Sequence, residues 1–297
     1  MKFSLIIPTL NRALELESLL LSIKKSSYSN YEIIIVDQSE EGYLENLVNK
    51  YSSEFKEFKY FRVKFKGAAK ARNFGIKYST GEVINFPDDD SEYTSDLLEK
   101  THKYFASNKV DAVFGVTIDK STGEFSCLKF LDKESDVTKD NMFRTTIEAT
   151  MFVKRSVFNV VGGYDETLGV GTKYGADEGA DLVLRLLYDK YNLKFSPELI
   201  FYHPNKESAK NSNVIVRGYT YGMGFGRLAA KHKFIYNYNK IYDRYLLSIF
   251  KGIIKMIIAI LKFDMFNLKY NKNIIKGRIR GYRESKIEYK RVIKNES

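Results

Sequence analysis

A single cysteine, Cys127, stands among 297 residues, so no internal disulfide can form, a count that fits a reducing compartment. Nowhere does the chain carry the run of about 20 apolar residues that a bilayer-crossing helix needs. Its tail run between Lys255 and Lys262 is far shorter. The start, Met1 to Pro8, has too brief an apolar stretch for a signal peptide and reads as a first strand. Internal repeats and low-complexity linkers are missing. So is a glycine-rich phosphate loop, because the first strand ends in Pro8-Thr9-Leu10-Asn11. These absences weigh against a disulfide scaffold, a repeat protein and a membrane span, and lead to the expectation of a cytoplasmic protein.

What is present is ample for a packed core: 44% hydrophobic and 14% aromatic residues exclude global disorder. The net charge of +11 calls for an anionic partner, whether nucleic acid, acidic lipid or a phosphorylated substrate. Lysine and arginine crowd the segment 211–297, interleaved with isoleucine, leucine and tyrosine, while residues 1–210 are closer to balance. The chain therefore divides into a domain at 1–210, with halves at 1–110 and 111–210, and a basic tail.

Strand and helix signals alternate along the first half. Lys2 to Ile7, Glu32 to Val36, Tyr60 to Phe65 and Val83 to Phe86 read as strands; Leu14 to Ile23, Leu44 to Tyr51, Ala69 to Tyr78 and Ser95 to Phe105 read as helices. This alternation argues for an α/β fold whose mostly parallel sheet carries helices on both faces. Beyond Asp111 the pattern is mixed, with strands expected at 112–118 and 145–153, a helix at 181–188, and two short closing strands at 193–195 and 199–202.

Three consecutive aspartates, Asp88, Asp89 and Asp90, follow the apolar run Val83 to Phe86. Adjacent carboxylates repel, so a fold gains nothing by collecting them unless a cation sits among them. Hard oxygen ligands suit Mg²⁺ or Mn²⁺ shared with a phosphate. Parallel strands bring such ends to one rim, beyond which ligands bind. The turn Pro8, Thr9, Asn11, Arg12 and the acid Asp37 reach the same rim. Between them fall Gly67, which permits close backbone approach, and Lys70 and Arg72, which suit phosphate.

This ordered set resembles the inverting, nucleotide-sugar-dependent glycosyltransferases of family 2, with the GT-A fold, over roughly residues 2–205. The resemblance rests on Ile6-Ile7-Pro8-Thr9 with Asn11-Arg12, Ile34-Ile35-Val36-Asp37, Gly67 with Ala71-Arg72-Asn73, Asp88-Asp89-Asp90, Gly162-Gly163-Tyr164-Asp165, and Glu178 with Asp181-Leu182 and Arg185. It implies that Pro8 and Thr9 line a nucleotide pocket and that Asp37 accepts a hydrogen bond from the base, usually uracil. Arg72 would lie near the nucleotide. Asp88 and Asp90 match a DxD motif that serves the ribose and a metal bridging the diphosphate, with Asp89 between them. His203, after the closing strand, would lie near that metal. Glu178 is implied as the base, with Asp177 next, and Asp181 as a residue positioning the acceptor or capping the helix. Glycine, Gly179, stands where the family commonly has a second acid. Inversion at the anomeric carbon is likewise implied by the resemblance.

In the tail, Lys251, Lys255 and Lys262 fall within roughly 40° of one another on a helical wheel, set against isoleucine, leucine and methionine. This pattern describes an interfacial helix on an anionic membrane, with the 245–285 region as the contact; packing on the domain and a homo-oligomer are the alternatives. Gly222, Gly224 and Gly226, among aromatic residues, read as a flexible joint bordering the acceptor, and His102 and His232 as solvated. The reading is of a glycosyltransferase for surface polysaccharide or glycolipid, on the inner face of the cell membrane. A degenerate transferase acting as a scaffold and a sugar nucleotidyltransferase are the competing readings. Nucleic acid is disfavoured because the basic residues escort aliphatic rather than base-stacking side chains.

Overall fold

A computed structural model describes residues 1–205 and 211–296. The described residues form two compact units, residues 1–164 with 182–205, and residues 165–181 with the helical tail. The border expected near residue 210 falls within residues 206–210, outside the described residues.

The first unit is a helix-covered sheet. Strands β1 (Phe3–Thr9), β2 (Tyr31–Asp37), β3 (Phe58–Arg62) and β4 (Val83–Asn85) alternate with helices α1 (Ala13–Lys24), α2 (Glu45–Tyr51) and α3 (Ala68–Tyr78). After them come β5 (Glu92–Tyr93), α4 (Leu97–Ser107), β6 (Ala112–Ile118), β7 (Ser135–Asp136), β8 (Met151–Lys154), α5 (Phe158–Val161), α6 (Glu178–Tyr188) and β9 (Leu193–Tyr202). The sheet runs β3-β2-β1-β4-β8-β6-β9-β5, with β7 on β9. β1 pairs in parallel with β2 and β4, and β2 with β3. β8 lies antiparallel between β4 and β6.

The apolar runs of β1 and β2 are buried on both faces, with Leu5, Ile7, Ile33 and Ile35 in one core together with Leu16, Leu19 and Leu20 of α1. In register, Thr9 stands opposite Asp37, and Asp37 opposite Arg62, so three parallel strands end on one rim. At the opposite end Glu32 is fully buried. Burial alone would raise its pKa, but hydrogen bonds from Lys59, Ser4 and Thr80 outweigh it and hold the carboxyl at about 2.

Two expectations shift. The strand expected over 145–153 shortens to Met151–Lys154, because Thr145 and Thr150 close three-residue turns onto Met142 and Ile147. The two closing strands are one, since β9 passes its irregularity against β6 without breaking.

The second unit is built on α7 (Ser212–Phe234), α8 (Asn239–Leu261) and α9 (Met265–Glu296). The expected glycine joint is interior helix. Gly222 and Gly226 of α7 face the backbone of α9 at Ile274 and Arg278, while Gly277 and Gly281 of α9 face Tyr219 and Met223 of α7. The rising order of both sets makes α7 and α9 parallel, packed backbone to backbone. Alanine normally gains about 1 kcal/mol over glycine in a helix. At Gly277 its methyl group would strike the Tyr219 carbonyl, which cannot yield without separating the helices. Gly277→Ala should therefore cost about 1–3 kcal/mol and lower the melting temperature; a raised melting temperature would contradict this packing.

Candidate active site

The rim is organised by the first turn after β1. Asn11 adopts a left-handed backbone (φ 56°), which asparagine tolerates, and its N–H donates to Ser39 Oγ at 2.8 Å. Arg12, next in the chain, reaches the triplet. Its Nη1 donates to Asp89 Oδ1 at 2.7 Å and Asp90 Oδ2 at 3.0 Å, and Thr9 Oγ1 donates to Asp89 Oδ2 at 2.9 Å. Both Asp89 oxygens are thereby held by protein. Burial lifts that carboxyl above its ordinary pKa, against the pull of Arg12.

The flanking aspartates differ. Asp88 receives Arg72 Nη2 at 3.4 Å, and Asp90 Oδ1 lies 3.3 Å from His203 Nε2. Asp88, Asp90 and His203 each offer a donor atom, and these atoms lie within 4.8 Å of one another. His203 Nδ1 lies 2.9 Å from the Pro204 carbonyl, so a proton held there leaves Nε2 directed at Asp90. Burial disfavours the charged ring, but the contacts with Asp90 and Cys127 outweigh it and raise His203 to about 10, so a cation bound there would displace the Nε2 proton. Two carboxylates and an imidazole fit a divalent cation, and the nitrogen donor suits Mn²⁺ better than Mg²⁺.

Arg72 is almost fully buried on α3, whose first turn opens at Gly67 (φ 121°). It joins Asp88 to Glu148, at 3.2 Å, and lies over the Tyr164 ring. Asn73 exchanges a pair of hydrogen bonds with the Tyr164 backbone, and Arg185 donates to the carbonyls of Val161 and Gly163. Together they fix the Gly162-Gly163-Tyr164 loop. Lys70 is exposed, with its ammonium 4.8 Å from the Phe65 ring, and makes no ion pair with the aspartates.

Asp37 is fully buried. Its Oδ1 accepts the Ser39 N–H at 2.7 Å and its Oδ2 the Tyr60 hydroxyl at 2.8 Å. Beside it Gln38 is 5% exposed, and its Oε1 is a buried acceptor without a partner. Pro8 is buried one residue before Thr9. Tyr60, Gln38, Ser39 and Glu148 were not legible as site residues, because their partners come from other strands and turns rather than from local spacing.

The acids expected as base belong to the second unit. Asp177 holds a left-handed backbone (φ 72°) immediately before α6. The residue is half-buried. Burial, joined by the Glu178 carboxylate, pushes its pKa up to about 7, with Arg278 opposing. Glu178 is 5% exposed, and its carboxyl packs against Gly169, whose φ of 98° and lack of a side chain make room for it. Asp181 is fully buried, 2.6 Å from Lys231 Nζ and 3.0 Å from His232 Nε2. Lys231 also holds Asp165 at 2.7 Å. His232 is thus not solvated but enclosed, its Nε2 within hydrogen-bond distance of the buried Asp181 carboxylate.

Comparison with known proteins follows the same outline. The chain is 29% identical over 161 residues to a GalNAc(5)-diNAcBac-PP-undecaprenol beta-1,3-glucosyltransferase of Campylobacter jejuni, covering 51% of this chain and 50% of that protein. It is 28% identical over 120 residues to the UDP-Glc:alpha-D-GlcNAc-diphosphoundecaprenol beta-1,3-glucosyltransferase WfgD of Escherichia coli, covering 38% and 44%. The chain spans half or less of the length of these relatives. Among solved structures, S. aureus TarS 1–349 in complex with UDP-GlcNAc superposes with a TM-score of 0.58 at 17% identity, covering 98% of this chain and 92% of that one. That likeness establishes the GT-A fold with additional C-terminal helices. The profile of glycosyl transferase family 2 matches residues 4–159, just over half of the sequence, and the chain belongs to that family.

Proposed function

We propose that this chain is an inverting glycosyltransferase that moves a sugar from a nucleotide-sugar donor, a UDP-sugar in preference, to a hydroxyl of a lipid-linked glycan. The observation that carries the reading is the meeting of the Asp88, Asp90 and His203 donor atoms within 4.8 Å of one another, at the rim where β1, β2 and β3 end in parallel. Support for a UDP-sugar comes from the E. coli relative, named for UDP-Glc, and from the TarS complex with UDP-GlcNAc. Support for a lipid-linked acceptor comes from the names of the Campylobacter and E. coli proteins, both of which specify undecaprenol carriers.

In this reading Asp88, Asp90 and His203 would hold Mn²⁺ or Mg²⁺. Such an ion, held by these three residues, would supply positive charge to the departing diphosphate. Arg12 and Thr9 hold Asp89 and so set the orientation of the triplet, while Arg72 supplies buried positive charge beside Asp88. Pro8, Asn11 and Gly67 shape the nucleotide pocket, and Lys70 meets the donor from the exposed side. Asp37, its carboxylate held by the Ser39 N–H and the Tyr60 hydroxyl, accepts a hydrogen bond from the base.

The proton acceptor comes from the Asp177–Glu178 pair, and accessibility favours Asp177. The acceptor hydroxyl gives its proton to that carboxylate as its oxygen bonds to the anomeric carbon. The bond from that carbon to the diphosphate breaks, and the electron pair leaves with the nucleotide. One displacement inverts the centre. Asp181 acts through its ion pair with Lys231 and its hydrogen bond with His232, which anchor the start of α6.

The product belongs to surface polysaccharide or glycolipid synthesis, and the enzyme works peripherally on the inner face of the cell membrane. Among the described residues no helix is long and apolar enough to cross one. Incubation with Mn²⁺, a UDP-sugar and a diphosphate-lipid-linked glycan should release UDP and yield a β-linked product from an α-linked donor. Retention of configuration would contradict the mechanism. Absence of UDP release across the common UDP-sugars would return the chain to the scaffold reading.

A further inference from the structure

Helix α8 buries one narrow side, with Ile241, Tyr245, Gly252 and Ala259 enclosed. The opposite side is neither buried nor polar. Leu246, Leu247, Phe250, Ile253, Ile254, Ile257, Ile258, Ile260 and Leu261 are all at least 40% exposed, and together they span roughly 160° of the helical wheel. Single exposed hydrophobics need no explanation, but a continuous face of this kind marks a binding surface. Exposure climbs toward the α8–α9 corner, through Leu261 at 74% to Phe263 at 90%, with Met265 at 60% beyond.

The corner carries a second, independent sign. The N–H of Asp264 donates to the Ala259 carbonyl and that of Phe263 to the Ile260 carbonyl, which is the Schellman closure of a helix. The left-handed position of that closure ordinarily belongs to glycine, yet here it is Phe263 at φ 53°. A bulky residue is disfavoured in that backbone conformation, and an almost fully exposed ring recovers nothing within the fold.

Charge identifies the occupant. Lys240, Arg244, Lys251, Lys255 and Lys262 are exposed and follow one border of the apolar face within roughly 60° of the wheel. They flank the apolar residues rather than oppose them, as the sequence pattern alone had implied. The only acid of α8 is Asp243. Anionic headgroups complement such a border, whereas a second copy would bring another row of cations against it. We propose that α8 lies in the plane of an anionic lipid surface, its exposed face in the acyl boundary, with Phe263 and Leu261 as the leading residues of insertion. This docking face rests on the peripheral location proposed above, and vesicle binding is read without any sugar transfer, so its failure would leave the donor site untouched.

The chain has no tryptophan, so Phe263→Trp installs a single one, whose emission is excited selectively at wavelengths the tyrosines do not absorb. On full-length protein its emission should shift to the blue with vesicles of phosphatidylcholine and phosphatidylglycerol, and much less with phosphatidylcholine alone. Phe263→Gly should melt no lower than the parent while binding the anionic vesicles roughly tenfold less tightly or worse. An unshifted emission, or undiminished binding by Phe263→Gly, would overturn the proposal. A vesicle-indifferent dimer that dissociates on Ile257→Glu would assign the face to a second copy instead.

Discussion

Asp177→Asn is expected to lower sugar transfer by about 10²–10⁴-fold while leaving UDP affinity unchanged. Asparagine keeps the volume of the side chain and tolerates the left-handed backbone, so the change removes a proton acceptor and little else. The pH profile separates this role from a structural one. With the carboxyl titrating near 7, transfer by the parent should fall as pH drops below about 7, since the base must be ionised, and the variant should lose that limb.

Stability should move the other way. A carboxyl raised in the folded state contributes stability that is fully present below its unfolded pKa and is lost as pH rises through about 7. The neutral amide escapes that loss, so Asp177→Asn should melt at or above the parent temperature at pH 8. Near-normal turnover by Asp177→Asn, together with collapse of turnover in Glu178→Gln, would transfer the role to Glu178.

Asp90→Ala should weaken Mn²⁺-dependent UDP binding by at least about a hundredfold, or roughly 2.7 kcal/mol. Asp90 is the residue at which the site is knotted, since one oxygen meets His203 and the other Arg12. Its loss takes a hard oxygen from the cation site. Arg12 keeps Asp89, so the turn after β1 should hold and the fold should survive. Titration of UDP with and without Mn²⁺ reads this directly. Affinity that is unchanged, or equally weak with and without the metal in the parent, would contradict the assignment.

The rim was legible in sequence because each of its pieces is local. An apolar β-branched run announces β2 and delivers Asp37 at its end, and the run from Val83 delivers the triplet in the same way. What sequence could not convey was the division of labour inside the triplet. Asp89 is spent on Arg12 and Thr9, residues far away in the chain, while Asp88 and Asp90 face His203. Lys70 and Arg72 looked equivalent, but α3 turns one outward onto Phe65 and buries the other.

The tail misled for a related reason. Glycines 222, 224 and 226 signal flexibility only when nothing packs on them, and here the backbones of α9 and of Ala176 occupy that space. His232 sits among lysines in sequence, yet its fold partner is the buried Asp181. Periodicity did reveal the amphipathic character of α8, but not which side the neighbouring helices would cover.

The central claim is that the rim is a metal-dependent nucleotide site, and thermal unfolding with UDP, GDP, dTDP and CDP, each with and without Mn²⁺, tests it most directly. A ligand that binds only the native state adds about 2.7 kcal/mol of stability at a hundredfold excess over its dissociation constant. The account predicts a marked rise in melting temperature with UDP and Mn²⁺ together, and little with either alone. No rise with any nucleotide, metal present, would contradict it.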